Sequence, residues 1–232
     1  MIKDNIVAIK ERIVLACNKV GRDPAEVALV CVSKNRAVGE LEWVIQAGIT
    51  DIGENKVQEA LLKYSAIRNT PYASRIKWHM IGHLQTNKTR EAVKLFDLIH
   101  SVDSLRLAEE INRQAEKINK IQDILIEVNV SGEESKFGLK PGELGNLAKA
   151  VLALKNVRLL GLMAMAPAVA EPEKAGMYFR KSRELLEEIN AWRGTQGALR
   201  VLSMGMSNDF EAAIAEGATL VRIGRLVFDS VI

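Results

Sequence analysis

Residues 27–34 read VALVCVSK, a short apolar and β-branched run that ends on a lysine. Seven more runs of the same character follow it: ITDIGE (49–54), KWHMIG (77–82), DLIHSV (97–102), DILIEVNV (123–130), VRLLGLMAM (157–165), RVLSMGM (200–206) and TLVRIG (219–224). Several are apolar on both faces, as strands are in a parallel sheet covered by helices. The segments between them repeat their apolar residues at threes and fours. In 104–119, SLRLAEEINRQAEKIN, the residues Leu107, Ile111, Ala115 and Ile118 form one stripe, and Ser104 can cap the start. Segment 172–192 opens on a proline and carries Met177, Phe179, Leu185, Leu186 and Ile189. A further helix precedes the first strand, with Ile2, Ile6, Ile9, Ile13 and Ala16 on its buried face.

Strands alternating with helices give an α/β protein, and eight repeats suggest that the sheet closes on itself. A (β/α)8 TIM barrel takes about 200 to 250 residues in its compact forms, and the chain has 232. The spacing therefore predicts a single TIM-barrel domain over 1–232 with an extra N-terminal helix. An open doubly wound sheet is the alternative.

Composition narrows the function classes. With 48% hydrophobic and 26% charged residues the chain reads as soluble and globular. Cys17 and Cys31 sit in apolar segments, where buried thiols are expected rather than a disulfide scaffold. The first residues lack the apolar core of a signal peptide, and no stretch reaches the roughly 20 apolar residues of a membrane span. A cytosolic protein with no membrane partner is expected. The net charge of +3 is dispersed, and the Lys88, Arg90 and Lys94 group reads as a solvated helix face. With 5% aromatic residues, neither a nucleic-acid patch nor a base-stacking platform is indicated.

In such a barrel, chemistry gathers at the carboxyl ends of the strands. Strand alternation puts Ala28, Val30, Val32 and Lys34 on one face, so if these point inward an amine stands at the barrel mouth. A neutral lysine amine condenses with aldehydes, whereas a strand-end lysine that merely reaches solvent is the bland alternative. Leu220, Arg222 and Gly224 likewise share a face of the last strand. If that face is interior, a buried guanidinium needs partners. SMGMSND (203–209), expected to open a helix at Asn208, and the turn at Gly224 follow strands seven and eight, a frequent phosphate site. Ser207 could add a hydroxyl. Asn55, in GENKVQEA (53–60), is a helix cap or a ligand contact. His79 and His83 lie along a strand and its loop, without HExxH or CxxC spacing, so no metal is expected; a core hydrogen bond suits His79, with cofactor contact as the alternative. NVSGEESKFGL (129–139) reads as a solvent-facing turn or a loop over the site, and Met163, Met165, Met204 and Met206 as packing residues.

Five ordered motifs, VSKNR, GENKVQEA, WHMIGHLQTNK, VNVSGEESKFGL and SMGMSNDFEAAIAEGATLVRIG, resemble the pyridoxal 5'-phosphate homeostasis protein family, related to the amino-terminal barrel of alanine racemase. The resemblance runs from about residue 5 to 228. It implies that Lys34 carries pyridoxal 5'-phosphate as an internal aldimine, and that Ser207, Gly224 and the backbone at Arg225 hold the phosphate. It also implies that Arg222 lies against the pyridine nitrogen and that Asn55 and His79 line the pocket. The sequence departs from the family's pattern at Asn35 and Arg36 and in its tail after Gly224, GRLVFDSVI.

An arginine there disfavours protonation of the ring nitrogen and weakens the ring as an electron sink. The racemases take a second acid or base from another domain, and the chain stops eight residues after Gly224. A monomeric carrier or buffer of the cofactor with little turnover is expected, with dependent client enzymes as partners. A racemase-like enzyme is the alternative. A barrel that binds a phosphorylated metabolite without covalent attachment is a third reading.

Overall fold

The computed structural model describes residues 1–133, 136–167, 172–193 and 197–229. Eight parallel strands close into a barrel in chain order, from β1 beside β2 round to β8 beside β1. They are β1 (Ala28–Val32), β2 (Asp51–Glu54), β3 (Lys77–Met80), β4 (Leu98–Val102), β5 (Gln122–Val128), β6 (Val157–Ala164), β7 (Val201–Ser203) and β8 (Leu220–Ile223). The helices are α1 (Ile2–Lys19), α2 (Val38–Gln46), α3 (Val57–Ile67), α4 (Thr89–Leu95), α5 (Leu105–Glu116), α6 (Leu144–Leu152), α7 (Gly176–Arg193), α8 (Phe210–Ala215) and α9 (Arg225–Phe228). No described helix is long and apolar enough to cross a membrane.

Alternation along the strands separates two apolar layers. Leu29 and Cys31 of β1 join the continuous outer core between sheet and helices. Leu98, Leu125 and Met163 form a smaller cluster in the lumen, with Met165, Val201 and Leu220 packed on it. Both cysteines are buried free thiols. The expected stripe of α1 is buried along its whole length, and the helix lies against α2, α8 and α9. Each large apolar side chain buried this way is worth roughly 1.5–3 kcal/mol relative to exposure.

Local chain geometry moves some predicted boundaries. The stripe of 104–119 is buried only to Ala115, because Asn119 takes a left-handed φ of 52° and turns the chain away, leaving Ile118 exposed. Ser104 does cap α5, accepting from the Leu107 amide at 3.4 Å. Met177 is exposed, whereas Phe179, Leu185, Leu186 and Ile189 are buried in α7. The seventh strand stops at Ser203: Gly205 turns at φ 90° so tightly that a Cβ there would meet that of Ala213 at 2.6 Å. The helix expected to open at Asn208 starts at Phe210.

At Gly161 the backbone of β6 comes so near β7 that a Cβ would fall 1.9 Å from the Val201 carbonyl oxygen. Gly161→Ala must therefore push two strands apart, with an expected loss of about 3 kcal/mol in urea denaturation. Gly145→Ala, in α6 with open space around it, is expected to raise stability by about 0.5–1 kcal/mol.

Candidate active site at the barrel mouth

Val30 points into the lumen, where its Cγ1 would lie 3.0 Å from a Cβ on Gly53. The alternation predicted for β1 therefore holds over Ala28–Val32, while Lys34 lies two residues beyond the strand, exposed at its carboxyl end as the reading of a strand-end lysine reaching solvent has it. It sits in a turn closed by the Arg36 amide on the Ser33 carbonyl at 3.0 Å, with Asn35 at a left-handed φ of 59°.

That turn is held from behind. Lys63 of α3 is buried and donates to the Ser33 carbonyl, to Glu54 Oε1 at 2.6 Å and to Glu59 Oε1 at 3.0 Å. Glu59 also accepts from the Asn35 amide, and Ser33 Oγ donates to Glu54. The backbone on each side of Lys34 is thus pinned by one charged cluster. Burial pushes the Glu54 carboxyl up against the pull of Lys63 and Ser33. Burial also acts on Glu59, but Lys63 and the Asn35 amide outweigh it and hold that carboxyl below its ordinary value.

Arg222, on the inward face of β8, is 4% exposed. Its Nη1 donates to the Ser203 carbonyl at 2.6 Å and to Ser203 Oγ at 2.7 Å, and its Nη2 to the Ala164 carbonyl at 3.1 Å. Burial lowers the guanidinium to about 10 while Glu127 and Asp209 favour its charge, so it remains cationic at neutral pH. Glu127, buried on the inward face of β5, is pushed up to about 7 by burial, with Arg222 opposing and Asp103 reinforcing the rise.

His79 is buried lower in the lumen. Its Nδ1 lies 2.9 Å from His100 Nε2 and its Nε2 lies 3.0 Å from Asp51 Oδ1. Both ring nitrogens thus have protein partners, and the core hydrogen bond expected of His79 is present. His100 continues to Ser203 Oγ at 2.9 Å.

The loops after β7 and β8 are clasped together. Arg225 Nη2 donates to Asn208 Oδ1 at 3.0 Å, and the Arg222 amide to the Gly205 carbonyl at 3.0 Å. Ser207 is buried in the first loop. Gly224 caps α9, whose leading amides have no partner within the helix. A Cβ at Gly224 would stand 3.1 Å from the Val32 carbonyl oxygen, so glycine permits the close approach of β8 to β1. Asn55 is not the cap of α3, a place Lys56 takes; its Oδ1 is buried and accepts no hydrogen bond among the described residues.

Lys34, Asn55, Ser207, Gly224 and Arg225 therefore gather at the carboxyl ends of the strands, with Arg222 and His79 below them in the lumen. The segment 129–139 has its residues 134 and 135 outside the described ones; beside them Phe137 stacks on His83 with ring centroids 4.4 Å apart. Met163 and Met204 are buried, whereas Met206 is exposed. Sequence reasoning missed Lys63, Glu59, Asp51, His100, Glu127 and Ser203. For the lumen residues a signal existed: Asp51, His100, Glu127 and Ser203 fall on inward positions of their strands, where the Arg222 charge needs partners.

The chain matches the family described as alanine racemase, N-terminal domain, over residues 5–230. It is 45% identical over 225 residues to a pyridoxal phosphate homeostasis protein of Aquifex aeolicus, covering 97% of this chain and 96% of that one. Among solved structures, an unknown protein of Bifidobacterium adolescentis matches with a TM-score of 0.91 and 36% identity, covering 98% of this chain and 94% of that one. PipY of Synechococcus elongatus, solved with PLP bound, matches with a TM-score of 0.85 and 32% identity, covering 98% of this chain and all of that one, 100%.

The raised Glu127 carboxyl couples stability to pH. Between its ordinary value of 4.5 and about 7 the folded chain keeps a proton that the unfolded chain has released, so stability falls as pH rises through this window. Glu127→Gln has no proton to lose. It is expected to be more stable than the parent at pH 8 by on the order of 3 kcal/mol, with the difference vanishing below about pH 4 in urea denaturation. A gain that is the same at both pH values contradicts the assignment.

Proposed function

The chain belongs to the pyridoxal phosphate homeostasis protein family, and on that premise we propose that it binds pyridoxal 5'-phosphate at the barrel mouth and carries or buffers it in the cytosol. It would supply client enzymes and influence amino-acid and keto-acid metabolism, with little turnover of its own. The observation that carries this reading is the pairing of an exposed amine, Lys34, with a buried guanidinium, Arg222, under two clasped loops.

The residues fit the group. When bound, it supplies an electrophilic aldehyde and an electron-withdrawing ring. The Lys34 amine would hold the aldehyde carbon covalently, with loss of water. Ser207 and the leading amides at Gly224 and Arg225 would take the phosphate, as helix starts favour anions. The uncommitted Asn55 Oδ1 leaves an acceptor free for a donor on the ligand. Arg222, cationic at neutral pH, would face the ring nitrogen and discourage its protonation, which restrains carbanion chemistry.

Racemase-like turnover is a second reading, and Glu127, at about 7 on the lumen face, is the observation that favours it. Exchange of an L-amino acid's α-proton with solvent should stay at the background rate under the first reading; exchange at enzymatic rates that is lost in Glu127→Gln would favour the second.

The direct test is reconstitution with pyridoxal 5'-phosphate. The parent is expected to gain a visible absorbance band and, after borohydride reduction, a modified peptide containing Lys34. Lys34→Ala should lose both. A protein that stays colourless, or is labelled on another lysine, contradicts the proposal.

A further inference from the structure

Five polar side chains cross the lumen in one line: Asp51, His79, His100, Ser203 and Arg222. The line starts at Asp51, the first residue of β2 and so at the amino end of the strands. It ends at Arg222, which sits toward the mouth.

Chemistry fixes the two ends. Arg222 has only donors. Burial pushes the Asp51 carboxyl up, but hydrogen bonds from His79 and Thr50 outweigh it and hold it below its ordinary value, so Asp51 accepts. His79 Nε2 must then carry a proton for Asp51, and Ser203 Oγ must receive one from Arg222. With both imidazoles neutral, a single assignment satisfies every contact. His100 Nε2–H donates to His79 Nδ1, and the Ser203 hydroxyl donates to His100 Nδ1.

A second proton on His79 breaks this order. His100 would have to accept at Nε2 and carry its own proton on Nδ1, turning a second donor onto Ser203 Oγ. The displaced hydroxyl proton finds no further partner of Ser203 Oγ among the described residues. Burial, then His79 and Arg222 of β8, holds the His100 ring well below its ordinary value, and the other charged groups near the line are Asp51 on β2, Lys77 on β3 and Glu127 on β5.

We propose that Asp51, His79, His100 and Ser203 are positioning residues for Arg222, a one-directional hydrogen-bond relay with both imidazoles neutral and protonated on Nε2, which fixes the direction of the guanidinium from the amino end of the barrel. His79 thereby acts on the pocket through Arg222 and not by touching the ligand. The consequence for the cofactor ring rests on the proposed binding of pyridoxal 5'-phosphate; the relay does not.

The test uses long-range 15N–1H NMR of the cofactor-free protein, in which the three histidines of the chain give a tractable spectrum and the partly exposed His83 serves as reference. At pH 8 His79 and His100 are expected to show the neutral Nε2–H pattern. An imidazolium or an Nδ1–H form at either overturns the relay. Ser203→Ala should shift the ring nitrogens of His79 as well as those of His100, and Ser203→Thr should restore them; a His79 signal unmoved by Ser203→Ala overturns the coupling. In the reconstituted protein, Ser203→Ala should weaken pyridoxal 5'-phosphate binding by about tenfold and move the midpoint of the visible-band titration, while Ser203→Thr does neither. A parent that gives the expected NMR pattern but never forms the band upholds the relay and refutes the binding. A band whose affinity and midpoint ignore Ser203→Ala overturns the positioning role.

Discussion

A guanidinium turned into the lumen of a closed barrel sets the terms for everything around it. Arg222 cannot reach bulk water from its place on β8, and an uncompensated buried charge costs several kcal/mol. The structure answers with two backbone carbonyls, one hydroxyl and two nearby carboxylates. A barrel packed only with branched aliphatics would be simpler to fold. Here the lumen keeps an apolar cluster of Leu98, Leu125 and Met163, and a polar line from Asp51 to Arg222 runs through it as well.

Lys34 is supported from the other side of the sheet. The Lys63, Glu54 and Glu59 cluster lies between β1, β2 and α3 and grips the main chain on both flanks of the lysine without engaging its amine. Lys34 and Arg222 are therefore held by separate systems, one outside the barrel wall and one inside. Under the proposed binding, such division would leave the amine free to react while the cation stays fixed, a preorganised arrangement for a charged ring.

The barrel is legible in the sequence because its signal is repeated eight times and errors in single boundaries do not change the count. The placement of Lys34, Ser207, Arg222 and Gly224 at the ends of their strands is legible too, since strand alternation and loop order give it without knowledge of side-chain contacts, whereas Arg225 enters through the family resemblance alone. Boundaries fail where one residue turns the chain, as Asn119 does after α5 and Gly205 after β7. Asn55 illustrates a different limit: a cap and a ligand contact look alike in sequence, and only the start of α3 at Val57, with Lys56 as its cap, removes the first reading. His100 and Ser203 are 103 residues apart and come into contact only because β4 and β7 face each other across the closed ring. No local pattern records that encounter.

The most direct measurement is a crystal structure of the protein grown or soaked with pyridoxal 5'-phosphate. Continuous density from Lys34 Nζ to the aldehyde carbon is expected, with the phosphate on Ser207 and the amides at Gly224 and Arg225 and the ring nitrogen toward Arg222. A ligand seated away from the mouth, or one whose ring nitrogen faces Glu127 instead of Arg222, would contradict the account.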